Sequence, residues 1–128
     1  MRIEHFAVWT FDIERQRAFY QRYFGAEPNE RYESDATPGF ASYFLSFPDG
    51  GARMELMQLP ALSPLAPVHA LGYAHLALSV GSRQAVDALV ARMHADGIVI
   101  RSPARFTGDG YYEAVVDDPD GNPVEVME

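Results

Sequence analysis

Four residues in this chain have the types and spacing for shared chemistry: His5, Glu55, His75 and Glu125. The two histidines stand 70 residues apart (75 − 5), and so do the two glutamates (125 − 55). Each histidine therefore precedes its glutamate by 50 residues (55 − 5 and 125 − 75). Two imidazoles and two carboxylates form a borderline-hard donor set. It suits one divalent ion with open positions: Zn, Ni, Co, Mn or Fe. A lone histidine or glutamate in a strand is usually a solvated polar residue. The shared offset is what lifts these four above that reading. The two remaining histidines, His69 and His94, fall outside the pattern and are expected to be exposed.

The same offset organises the elements that must position these residues. His5-Phe6-Ala7-Val8-Trp9 and His75-Leu76-Ala77-Leu78-Ser79-Val80 alternate as strands do. Each leads into a helical pattern. The first runs from Asp12, suited to cap the helix, to Phe24, with Gly25 to stop it. The second runs from Ser82 to Asp96, with Val86, Leu89, Val90 and Met93 on one face and Gly97 as the stop. Pro48-Asp49-Gly50 and Pro119-Asp120-Gly121 signal hairpins. They feed Met54-Glu55-Leu56-Met57 and Val124-Glu125-Val126-Met127. Phe40–Phe47 and Tyr111–Val116 supply one more clear strand each; Glu27–Glu33 and Ile98–Arg101 supply weaker ones. In its strand Glu55 lies opposite in face to Met54 and Leu56, so it faces solvent from an edge strand or a wet cavity.

Each half thus spells strand, helix and three strands. The expected fold is α+β: two paired βαβββ modules, residues 1–59 and 72–128, forming a curved mixed sheet around a metal-binding cleft, with helices outside. A Pro-rich linker, residues 60–71, joins them, three prolines falling within Pro60–Pro67. Modules of about 60 residues have thin cores, so a homodimer is expected.

The composition excludes other chemistry. Of 128 residues, 18 are acidic and 10 basic, for a formal net charge of −8. That balance disfavours a phosphate backbone, so no nucleic-acid partner is expected. Every basic residue is arginine, which excludes Schiff-base and lysine-base mechanisms. With no cysteine there is no thiolate metal site, thiol nucleophile or disulfide framework. No apolar stretch approaches a membrane span, and Glu4 and His5 interrupt any leader-like apolar run. A cytoplasmic location is expected, without a membrane partner.

These segments resemble the vicinal oxygen chelate superfamily, the glyoxalase and bleomycin-resistance fold, and within it bacterial metal-dependent glyoxalase I. The resemblance is carried by Gly72–Val80, Ala52–Leu56, Asp118–Val126, His5 and the helix end Tyr23-Phe24-Gly25. It spans essentially the whole chain. It implies that His5, Glu55, His75 and Glu125 hold the metal. Extradiol dioxygenases and fosfomycin-resistance transferases lack the acid equivalent to Glu55, methylmalonyl-CoA epimerases have Gln there, and bleomycin binders have lost the set. The implied activity is that of a lactoylglutathione lyase: a proton leaves the carbon beside a carbonyl and returns to its neighbour, while the ion stabilises the enediolate. By the same resemblance Glu125 is the base, with Glu55 as its symmetric counterpart. The substrate is then an α-oxo aldehyde or its thiol hemiacetal. The alternatives are a non-catalytic small-molecule binding protein of this fold and a metal-dependent dioxygenase.

The chain departs from glyoxalase I where glutathione is held. Trp9 stands in place of an arginine and Leu59 in place of an asparagine. The loop Pro103–Gly110 is aromatic and acidic, although Arg101 and Arg105 remain. Trp9 and Phe106 are candidate walls of a pocket for a smaller or more apolar substrate, with simple packing as the competing role.

Overall fold

The computed structural model describes residues 2–64, 71–108 and 110–128. His69, Asp109 and most of the linker after Pro64 lie outside the described residues. The chain divides into two compact units, Met1–Leu65 and Ala66–Glu128.

The first unit runs β1 (His5–Trp9), α1 (Ile13–Phe24), β2 (Glu27–Pro28), β3 (Tyr32–Glu33), β4 (Ala41–Ser46) and β5 (Arg53–Gln58). Helix α1 starts where Asp12 accepts a hydrogen bond from the Arg15 N–H, and ends at Gly25 in the left-handed conformation (φ 63°). A second tie fixes the helix start: the Ile13 N–H donates to Gln58 Oε1 at 2.9 Å. The sheet order is β1-β5-β4-β2, with β3 also on β4; β1 and β5 are parallel and the other pairs antiparallel. One face of this sheet carries Tyr43, Leu45, Met54 and Leu56. They bury against Ile13, Phe19, Tyr20 and Tyr23 of α1. Period-2 alternation leaves His5, Ala7, Trp9, Phe44, Glu55 and Met57 on the opposite face.

The second unit repeats the plan with β6 (Leu76–Ser79), α2 (Arg83–Ala95), β7 (Ile100–Phe106), β8 (Tyr112–Asp117) and β9 (Pro123–Met127). Its sheet order is β6-β9-β8-β7. Ser82 caps α2 by accepting from the Ala85 N–H. Val86, Leu89 and Met93 bury against Ala114, Val116, Val124 and Val126.

Two expectations are corrected. The weak strand Glu27–Glu33 is broken into β2 and β3. Asn29 sits between them, its N–H donating to the Phe44 carbonyl and its Oδ1 accepting from the Phe44 N–H. The strand expected at Ile98–Arg101 instead begins at Ile100, because the Ile98 N–H still closes the helix end on the Met93 carbonyl. Of the two settings left open for Glu55, the edge strand is excluded, since β5 lies between β1 and β4.

Candidate metal half-sites

The repeat survives in the ladder register. Glu55 on β5 pairs with Ala7 on β1, and Glu125 on β9 pairs with Ala77 on β6. Both pairs carry the offset of 70. Each glutamate thus sits on an inner strand, beside an alanine two residues past the histidine, on the face away from the helix. The alanine places only a methyl group beside the carboxylate. On the other flank Glu55 meets Phe44 and Glu125 meets Val115.

The units differ at the histidine. His5 opens β1 opposite Arg53, and the Arg53 N–H extends the ladder to the Glu4 carbonyl at 2.9 Å. The equivalent of Arg53 is Pro123, which has no N–H to donate. The second ladder therefore starts at Leu76 opposite Val124, and His75 precedes β6 rather than opening it.

In the second unit His75 Nε2 lies 3.3 Å from Glu125 Oε2. The carboxylate is the more sheltered partner, with 18% of the Glu125 side chain exposed against 46% for His75. Two donors each about 2.1 Å from one ion, at roughly 90–110°, stand about 3.0–3.4 Å apart. The pair therefore fits two adjacent positions of one coordination sphere.

In the first unit His5 Nδ1 is hydrogen-bonded to the Glu4 carboxylate, which also takes Nε and Nη2 of Arg53. These partners hold the Glu4 carboxyl below its ordinary range, the His5 bond being the larger cause. A carboxylate on Nδ1 fixes the ring as the tautomer whose Nε2 lone pair is free to ligate. The His5 ring also meets Phe44 edge-on at 5.4 Å, and the Arg53 guanidinium stacks 4.3 Å from the Phe44 centroid. Glu4 escaped the sequence reading because its counterpart in the second half is Ala74, so it is invisible to the repeat. Among the described residues no three His, Asp or Glu side chains are gathered as a ligand group. The second unit brings His75 and Glu125 together as a pair, whereas in the first His5 and Glu55 share a sheet face on adjacent rows and His5 is tied to Glu4.

The other candidates divide. Trp9 lies on the Glu55 face, 46% exposed. Arg105 approaches Glu113 at 3.8 Å, and Glu113 shares the Glu125 face across the Met127 register. Arg101 pairs with Asp117 and donates Nη2 to the Gly121 carbonyl at 2.7 Å, so its charge holds the β8–β9 turn. Phe106 does not join Glu125. It packs on Tyr112 beneath Arg83, and the Tyr112 hydroxyl donates to Asp87 of α2, which sets Phe106 on the helix side. His94 is exposed in the last turn of α2, as expected.

Asp118, which opens the Asp118–Val126 segment, has a structural role that its motif did not specify. It is 4% exposed, and its carboxylate accepts from the Asp120 N–H, the Asn122 N–H and the Asn122 amide. The hairpin turn is thus a five-residue loop, 118–122, built on an Asx device. In the first unit Phe47 stands in its place, and the loop to β5 is one residue longer.

The family model for the Glyoxalase/Bleomycin resistance protein/Dioxygenase superfamily matches residues 2–126. Among solved structures, a glyoxylase/bleomycin resistance protein/dioxygenase domain from Frankia sp. EAN1pec has a TM-score of 0.84 at 19% identity, covering 99% of this chain and 96% of that one. The trypanothione-dependent glyoxalase I of Leishmania major has a TM-score of 0.78 at 23% identity, covering 100% and 86%. Glyoxalase I from Zea mays has a TM-score of 0.80 at 21% identity, covering 98% of this chain and 44% of that one. Curated proteins give no significant match by sequence.

Proposed function

Because the chain belongs to the glyoxalase/bleomycin resistance protein/dioxygenase superfamily, we propose that it is a metal-dependent lyase or isomerase of glyoxalase I type. Its reaction would be enediolate chemistry on an α-oxo aldehyde or the thiol hemiacetal of one. The observation that carries this reading is the His75–Glu125 pair at 3.3 Å. Glu125 stands on the sheet face away from α2, with His5 and Glu55 at the repeat-related positions of the other unit. The proposed ligand set is His5, Glu55, His75 and Glu125, joined in one single-domain protein of two modules that is expected to dimerise.

A divalent ion in that set would supply positive charge to two vicinal oxygens of the substrate. The residues supply the rest. Glu125 accepts the proton from the carbon beside the carbonyl and returns it to the neighbouring carbon. Its setting suits this: the carboxylate is sheltered between Ala77 and Val115, with His75 as its polar neighbour. Glu4 orients the His5 ring through Nδ1. Glu55, flanked by Phe44 and Ala7, is the symmetric carboxylate.

The test joins metal analysis of the purified protein to a hemithioacetal isomerisation assay with glutathione. Stoichiometric metal and turnover, both lost in Glu125→Ala, would support the proposal. Stoichiometric metal without turnover on any α-oxo aldehyde would discard the reaction. Protein that takes up no metal would favour a small-molecule binding role instead.

A further inference from the structure

We propose that Trp9, Phe40 and Tyr32 form an aromatic box that receives a planar, unsaturated substituent of the substrate, so that aryl α-oxo aldehydes are preferred over methylglyoxal. This rests on the function proposed above and names its substrate class.

The box is built by register. Trp9 on β1 pairs with Met57 on β5, Met57 with Ser42 on β4, and Ser42 with Tyr32 on β3. These four share one row and one face of the sheet. The adjacent row on that face is Ala7, Glu55 and Phe44. A row is two residues along a strand, about 6.6 Å. That is the span between a reacting carbon and the far edge of an attached ring.

Phe40 enters from the loop before β4 and closes the row. Its ring lies 6.3 Å from Trp9 at 84° and 6.3 Å from Tyr32 at 68°. Two near-perpendicular neighbours give three walls of different orientation, the arrangement in which an inserted ring meets both edges and faces. Beside Trp9 in the same row is Met57, an adaptable thioether suited to aromatic contact. Phe40 is held by backbone: its N–H donates to the Thr37 carbonyl, and its carbonyl accepts from the Ser34 N–H. Behind it Gly39 has φ +81°, and a Cβ there would stand 2.5 Å from Pro60 Cγ, so only glycine lets the loop close this tightly.

The walls are apolar and open to solvent, Trp9 at 46% and Tyr32 at 55% exposure. The nearby arginines are engaged elsewhere among the described residues: Arg31 pairs with Glu14 and Glu33, and Arg53 with Glu4. The box therefore offers ring faces rather than a carboxylate clamp.

Trp9 is the only tryptophan in the chain, so its emission reports on the box whether or not the enzyme turns over. The probes are mandelate and lactate, stable 2-hydroxy acids that differ by phenyl against methyl. Mandelate should shift Trp9 emission saturably, and lactate at equal concentration should not. Phe40→Ala and Tyr32→Ala should each raise the mandelate Kd about tenfold. Trp9→Ala should lower the ratio of kcat/KM for the phenylglyoxal adduct over the methylglyoxal adduct, again by about tenfold. If Phe40→Ala disturbs the loop, Tyr32→Ala on the exposed rim keeps the test sharp. Equal responses to mandelate and lactate, or unchanged mandelate affinity in Tyr32→Ala, would overturn the box. Selective mandelate binding without turnover of either adduct would keep the box and overturn the reaction proposed above.

Discussion

Replacing Asp118 by alanine should cost the second unit much of its stability and disturb the placement of Glu125. The carboxylate is 4% exposed and accepts three hydrogen bonds, at 2.9, 2.9 and 2.8 Å. A bond to a charged acceptor contributes about 1.5–3 kcal/mol net. Three bonds to one carboxylate do not add independently. The loss is therefore placed at about 3 kcal/mol, the upper end for one such bond. Domains are stable by only about 5–15 kcal/mol. With a urea slope of about 2 kcal/mol per molar, the midpoint should fall by about 1.5 M. The loop also sets the Asp117–Pro123 pairing that begins the β8–β9 ladder, and a slip of one residue would turn Glu125 to the helix side. Far-UV circular dichroism is the suitable signal, because the sole tryptophan lies in the other unit. Asp49→Ala, in the equivalent exposed turn where Phe47 replaces Asp118, serves as the control and should change stability by less than about 0.5 kcal/mol. An Asp118→Ala midpoint within about 0.3 M of the parent protein would refute this account of the turn.

His75→Ala or Glu125→Ala should lower bound metal and abolish activity with little loss of stability, read by metal analysis beside thermal melting; unchanged metal uptake would contradict the ligand set. Glu55→Gln should reduce the rate less than Glu125→Gln at matched metal content, and equal losses would remove the distinction between base and counterpart. For Glu14, burial works to raise the carboxyl pKa, but hydrogen bonds from Tyr43, Arg17 and Arg31 outweigh it, and the net shift is downward from 4.5. A lowered folded-state pKa stabilises above the unfolded value and loses that contribution as pH falls through the folded one. Glu14→Gln should therefore weaken the protein at pH 7, with the gap to the parent closing below about pH 4.5 in urea titrations; a gap constant with pH would refute the linkage. Gly39→Ala should strain the loop that carries Phe40 and weaken mandelate binding as Phe40→Ala does, checked by Trp9 emission.

The helices were legible because their signals are local. Asp12 and Ser82 cap and Gly25 ends a helix through bonds within a few residues, so type and position sufficed. The offset of 70 was legible because a duplicated plan repeats its spacing, and the parallel pairs Ala7–Glu55 and Ala77–Glu125 preserve it. Alternation alone put Glu55 and Glu125 on the face opposite Met54, Leu56, Val124 and Val126, since side chains in a strand have only two directions. Tertiary structure decided the rest, because pairing across the chain has no local signature. It placed β5 and β9 inside their sheets, began one ladder at His5 and the other after His75 because Pro123 lacks an N–H, and drew Glu4 onto the His5 ring. It sent Phe106 to the helix side and brought Tyr32, Phe40 and Trp9 together from three separate segments. Which residues can do chemistry is written in their types and intervals; which of them meet depends on strand order and register, and these are set by hydrogen bonds between residues far apart in the chain.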